Sequence, residues 1–244
     1  MANWCSINLL TLSIGKCNVI SFYRKHNPIN LEYRIAGTVL QRKMLVRDLG
    51  MLLDQEMTFR PHYNEVIARA NRQLGFISKI CDDFRDPQCL KSLYCALVRS
   101  ILEYGVVVWS TYQSYWIARL ETVQRKFIRF ALRHLPWRDS SNLPAYEDRC
   151  QLLGIDTLER RRRRAQAVFV AKIITGEIDA PALLSQLNFY APERTMRQRN
   201  ILYLTPRNRL YGMNEPLRAA ANIFNSVYHL FDYNMPLTNF ARIL

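Results

Sequence analysis

The sequence predicts an α+β chain with a short β-rich segment over residues 1–56, a helical bundle over residues 57–135 and a mostly helical segment over residues 136–244. Three observations predict it. Short runs before residue 56 alternate between apolar and polar residues, the pattern of half-buried strands. From Arg60 onward, apolar residues recur every three or four positions, the pattern of amphipathic helices. Proline, glycine and Asp/Thr residues stand where such helices should start and stop.

The β-rich segment opens on the end of a helix, with a turn from Asn8 to Ser13 closed by Gly15. Cys17–Phe22 alternates as a strand, and Asn27-Pro28 marks a turn. Glu32–Ala36 is a second short strand, and Gly37 begins the next turn. Val46–Asp54 reads as a third strand, interrupted at Gly50 by a bulge or a close backbone approach.

Three helices follow. Val66, Ile67, Ala70, Leu74, Ile77 and Cys81 share one helical face; so do Leu90, Leu93, Tyr94, Leu97 and Ile101, and then Trp116, Leu120, Val123, Phe127 and Phe130. Asp86-Pro87 suits the start of the second, with proline in the first turn. Short joints between amphipathic helices imply a small bundle. A polar connector, Pro136–Pro144, is the expected domain boundary. Beyond it come a short helix, Tyr146–Leu153, stopped by Gly154, and a helix from an Asp156-Thr157-Leu158-Glu159 capping pattern to about Thr175, stopped by Gly176. Pro181–Leu187 looks helical, residues 190–214 look irregular, and Pro216–Leu230 is a last amphipathic helix.

Charge narrows the function. Lys and Arg number 34 against 20 Asp and Glu, a formal net charge of +14. Such an excess attracts polyanions, and nucleic acid is the first candidate partner. The six cysteines, Cys5, Cys17, Cys81, Cys89, Cys95 and Cys150, form no C-x-x-C pair and stand apart from the four histidines, so no zinc site is expected. Free thiols suit a reducing compartment. No secretory signal pattern is visible, and no window approaches the ~18 apolar residues of a membrane span. A nuclear or cytoplasmic protein without a membrane partner is expected.

Two arginine-rich stretches stand out. Arg125, Arg129 and Arg133 lie at i, i+4 and i+8 with Lys126 beside them, away from the apolar stripe, so they are expected to face outward. A row of cations suits a phosphate backbone; a solvated helix face is the plainer reading. Arg160, Arg161, Arg162, Arg163 and Arg164 fall early in a helix if Asp156 is its N-cap, where cations oppose the helix dipole. With no acidic residue inside the run, an anionic partner is inferred. A nuclear-localisation element and a charged helix end whose stems cover apolar surface are the alternatives. Asp82-Asp83, at the end of a helix, reads as solvated charge.

Several motifs occur together in order: Trp4-Cys5, Asn8 and Lys16-Cys17; Tyr33, Gly37 and Arg47-Asp48-Leu49-Gly50; Asp54, Thr58-Phe59 and His62; Ala70–Gly75; and Leu102-Glu103-Tyr104-Gly105 with Trp109. Each is weak alone. The ordered set resembles the reverse transcriptase of jockey-type non-LTR retrotransposons, in the region after the catalytic Tyr-Ala-Asp-Asp box.

The resemblance implies a right-hand polymerase. Residues 1–56 would end its palm, residues 57–135 would form its thumb, and residues 136–244 would belong to the carboxy-terminal segment. Lys16 matches the lysine of motif D, with a supporting role in protonating or neutralising the leaving pyrophosphate. Leu49 and Gly50 match motif E, the primer grip. The implied partners are an RNA template and an RNA/DNA hybrid, with target DNA a further candidate. The Tyr-Ala-Asp-Asp box is absent from this sequence, so no complete catalytic set is expected, the chain alone is expected not to polymerise, and Mg²⁺ is expected only for the complete polymerase. The alternative is a basic helical nucleic-acid-binding or scaffold protein derived from a decayed element.

Overall fold

A computed structural model describes residues 2–24, 31–134, 144–190 and 200–244. It is mixed helix and sheet, dominated by helix, with few and short strands. The chain divides into two compact units, Met1–Val66 and Ile67–Leu244.

The first unit starts with helix α1, Ala2–Ile7, and a 3-10 turn, Ile14–Lys16. Six short strands follow: β1 (Asn18–Val19), β2 (Arg34–Ile35), β3 (Thr38–Val39), β4 (Gln41–Arg42), β5 (Leu45–Asp48) and β6 (Met51–Asp54). β1 pairs in parallel with β4, while β2–β3 and β5–β6 are antiparallel hairpins. Both hairpins turn on two residues of positive φ: Ala36 (47°) with Gly37 (79°), and Leu49 (44°) with Gly50 (83°). Positive φ at both central positions is the twist that matches antiparallel strands, and it favours glycine in the second place. The expected Val46–Asp54 strand is therefore two strands, and Gly50 sits in a tight turn rather than a bulge. The Asp54 carboxylate accepts from the backbone N–H of Thr58 at 3.0 Å and of Phe59 at 2.7 Å. It thus satisfies donors just ahead of helix α2, Arg60–Ile80.

The second unit is helical. Helix α3, Pro87–Tyr94, is capped by the Asp86 carboxylate, which accepts from the N–H of Gln88 (3.0 Å) and Cys89 (3.2 Å). The helix continues through a π segment, Cys95–Arg99, into α4, Ser100–Glu103. Gly105, at φ 64°, turns the chain and restarts it as α5, Val106–Trp109. Next come α6 (Ser114–Ala131), α7 (Tyr146–Leu152) and α8 (Leu158–Ile174). The remainder comprises α9 (Pro181–Leu184), the antiparallel pair β7 (Asn188–Phe189) and β8 (Leu202–Tyr203), α10 (Leu210–Met213), α11 (Pro216–Val227) and α12 (Leu237–Ile243).

Helix α8 is the hub: α5, α6, α11 and α12 all pack against it. Val170, Ala171 and Ile173 of α8 share a core with Ala220, Ala221 and Phe224 of α11 and with Leu237 and Phe240 of α12. The small residues let the helix axes approach, and the phenylalanines fill the space between them. The division between the two units falls at 66/67, within α2. Residues 135–143 lie outside the described residues, as does the Asn27-Pro28 turn, but the helices on either side of 135–143 share one unit. The strand pair β7–β8 and helix α12 were not expected from the sequence.

Candidate nucleic-acid interface

Helix α6 is held by its buried face. Phe127 stacks on Tyr94 with ring centroids 4.1 Å apart. Gln124, fully buried, accepts from the Tyr94 hydroxyl (2.9 Å) and donates to the Tyr146 hydroxyl (3.0 Å) and the Asp156 carbonyl (3.0 Å). Glu121, one turn earlier, accepts from the Tyr146 hydroxyl and from the Leu158 N–H (3.0 Å). Its charge thus meets the N-terminal end of α8, where the helix dipole favours an anion. Residues 94, 121, 124, 146 and 156 form one polar network inside an apolar core, and each partner fixes another.

The opposite face of α6 carries Arg125, Lys126 and Arg129, all exposed. A step of four residues overshoots one helical turn by about 40°, so a row at i, i+4 and i+8 crosses the face obliquely. Its ends meet protein. At one end the Arg125 guanidinium lies 4.7 Å from the centroid of the Tyr146 ring. At the other, Arg133 stands past the end of α6 and turns inward. Its Nη1 donates to the Phe130 carbonyl (2.8 Å), and its Nη2 donates to the carbonyls of Cys81 (3.1 Å), Asp82 and Phe84 (3.2 Å). The Arg133 side chain is only 11% exposed. The expectation that Arg133 faces outward is corrected: the carbonyls at the end of α2 need donors there. Lys126 donates to Asn71 Oδ1 at 3.1 Å, which sets α6 beside α2. On α2, Arg72 and Lys79 are exposed, and their seven-residue spacing puts them on one side of the helix. They escaped the sequence reading because each is a lone cation in an amphipathic pattern. The surface that results is a two-helix face bearing Arg72, Lys79, Arg125, Lys126 and Arg129.

The arginine run behaves differently. Helix α8 is capped by Thr157, whose hydroxyl accepts from the Arg160 N–H (3.2 Å), not by Asp156. Asp156 instead holds Arg160 (3.5 Å) and Arg164 (2.7 Å). Arg160 also donates to the Leu244 carbonyl (3.2 Å). Arg161 forks onto Glu103. The anions expected from a partner are thus supplied, for three of the five arginines, by residues distant in sequence or just ahead of the helix. Arg162 is buried and Arg163 exposed, and among the described residues neither has an ion-pair or hydrogen-bond partner. Burial lowers the hold of the Arg162 guanidinium on its proton, opposed by the field of Glu121, then of Glu159 and Glu103.

In the first unit, Lys16 is exposed at the end of the 3-10 turn that precedes β1. Leu49 and Gly50 form the tip of the β5–β6 hairpin, with Leu49 77% exposed. Asp82 and Asp83 are exposed. Among the described residues no group of three or more His, Cys, Asp or Glu is placed to hold a metal ion, and no helix is long and apolar enough to cross a membrane. The chain matches no protein-family model, no curated protein and no solved structure.

Proposed function

We propose that this chain is the palm end and thumb of a reverse transcriptase of the non-LTR retrotransposon kind, and that it grips an RNA template paired to a DNA primer. The two-helix cationic face of α2 and α6 carries the reading. Arg72, Lys79, Arg125, Lys126 and Arg129 are exposed, and among the described residues none has a carboxylate in ion-pair distance. Such a face offers fixed positive charge to a phosphate backbone whatever its sequence, as a polymerase that must translocate requires. The hairpin tip at Leu49-Gly50 supports the primer-grip assignment: a tight turn exposes its backbone, and glycine lets another chain approach closely. In the polymerases that the chain resembles, nucleotide transfer belongs to a Tyr-Ala-Asp-Asp box, which this sequence does not contain, and Mg²⁺ would bind there.

The test is a competition at fixed salt among an RNA/DNA hybrid, a DNA duplex and single-stranded RNA of one sequence. The reading expects the hybrid to bind more tightly than the single strand, and Arg72→Gln with Arg129→Gln to weaken it. Equal binding of all three would favour a general basic scaffold and contradict the polymerase reading.

A further inference from the structure

One cavity of the second unit lies apart from the cationic face, and none of that face's five cations lines it. It measures about 270 Å³ and is bounded by the α5–α6 joint, α8 and the α10–α11 region. Arg162, Arg163 and Gln166 of α8 line it, with Thr111, Tyr112 and Asn222. Arg162 is 3% exposed, yet among the described residues no carboxylate lies in ion-pair distance and its Nη2 has no hydrogen-bond partner. A buried arginine without a partner is costly, and cores seldom retain one. Its guanidinium is a planar fork suited to two oxygens of one anion. The exposed Arg163 adds a second cation, and the neighbouring hydroxyl and amide groups are neutral polar partners that complete a ligand's hydrogen bonds. Glu159 also lines the cavity. It is exposed, so water and salt screen it; the buried Glu121, whose field acts most strongly on Arg162, lies beyond ion-pair distance among the described residues, and its Oε1 accepts from the Tyr146 hydroxyl and the Leu158 N–H.

We infer that this cavity is a phosphate-binding site in which Arg162 and Arg163 clasp one phosphate group, with Gln166 and Thr111 as further partners. The phosphate is either free, as inorganic phosphate or a nucleotide, or the terminal phosphate of a nucleic acid strand. The cavity has room for more than a bare phosphate, so the group that carries it also enters.

The test is thermal unfolding of the full chain against inorganic phosphate, a nucleoside monophosphate, and one short oligonucleotide with a 5′-phosphate or a 5′-hydroxyl. Phosphate should raise Tm in a saturable way, and acetate at equal ionic strength should not. Arg163→Gln, an exposed change that leaves folding intact, should weaken phosphate binding about tenfold or more. Arg162→Met keeps the stem, removes the buried charge and should abolish the response while leaving Tm in chloride unchanged or higher. Arg129→Gln should keep the phosphate response, which separates this site from the duplex-binding face. Tighter binding of the nucleotide than of phosphate identifies a free ligand; a gain for the 5′-phosphate over the 5′-hydroxyl identifies a strand end. No phosphate response, an equal response to acetate, or a response that survives both Arg162→Met and Arg163→Gln would overturn the inference.

Discussion

Arg161 forks onto Glu103, with Nη2 2.9 Å from one carboxylate oxygen and Nε bonded to the other, so the start of α8 is tied to the end of α4. Both side chains are only about a quarter exposed, at 26% and 24%. A paired, planar fork in partial burial is stronger than a surface ion pair. Glu103→Gln should therefore destabilise the chain by about 1–3 kcal/mol, a drop in Tm of several degrees by calorimetry. Nucleic-acid affinity measured below that Tm should not change. A neutral effect on Tm would show that Arg161 is free for an external anion.

Arg133 is assigned to structure. Its guanidinium joins the end of α6 to carbonyls at the end of α2. Arg133→Gln should cost about 1–3 kcal/mol, because buried carbonyls lose their donor, and should leave the salt dependence of duplex binding as it was. The reverse outcome, normal stability with weakened binding, would return Arg133 to the interface.

Alkaline unfolding should be pronounced. Burial pushes the Tyr94 and Tyr146 phenols and the Cys150 thiol up, and Glu121 adds to the shift of each. Each group holds its proton more tightly folded than unfolded, where its value lies near 10.0 for tyrosine and 9.0 for cysteine. The stability they contribute is fully present below those unfolded values and is lost as the pH rises past them. The urea midpoint should be flat from neutral pH to about 9 and fall beyond it. Tyr146→Phe removes one titrating group, so its alkaline fall should be shallower. A midpoint that climbs above pH 9 would contradict the buried network.

Leu49 occupies a conformation that an L side chain with a Cβ adopts at a cost of roughly 1–2 kcal/mol. Asparagine tolerates it and is favoured before glycine in such turns. Leu49→Asn should stabilise the first unit by about 0.5–1 kcal/mol. If this tip is the primer grip, the same variant should bind primed template less tightly, since it loses an exposed apolar contact. A variant no more stable than the parent would mean that the turn is not of this type.

Apolar stripes displayed the helices: in α6, Trp116, Leu120, Val123 and Phe127 are buried and Phe130 is half-buried, whereas the stripe expected through Leu97 and Ile101 shifts to Val98 and Leu102, because the π segment Cys95–Arg99 adds a residue to the turn. Hairpins were harder to see. The turn signal at residues 36–37 and 49–50 has glycine in its second place, but alanine and leucine fill the first, where asparagine or aspartate would have announced it. The site was only half legible. Exposure of Arg125, Lys126 and Arg129 follows from the helical period. The pairing of Arg161 with Glu103 spans 58 residues, and that of Arg133 with Cys81 spans 52, so no local pattern could reveal either.

Contact between the exposed cations of α6 and phosphates is read from the salt dependence of hybrid-duplex binding. Binding that releases counterions gives a log–log slope of about −0.9 per contacted phosphate on B-form duplex, and a hybrid should behave similarly. Arg125→Gln, Lys126→Gln and Arg129→Gln together remove three charges while keeping helix propensity. The slope should become smaller in magnitude by roughly two to three units, with binding weakened about equally for all sequences. A slope identical to that of the parent chain would contradict it and leave this face as solvated surface.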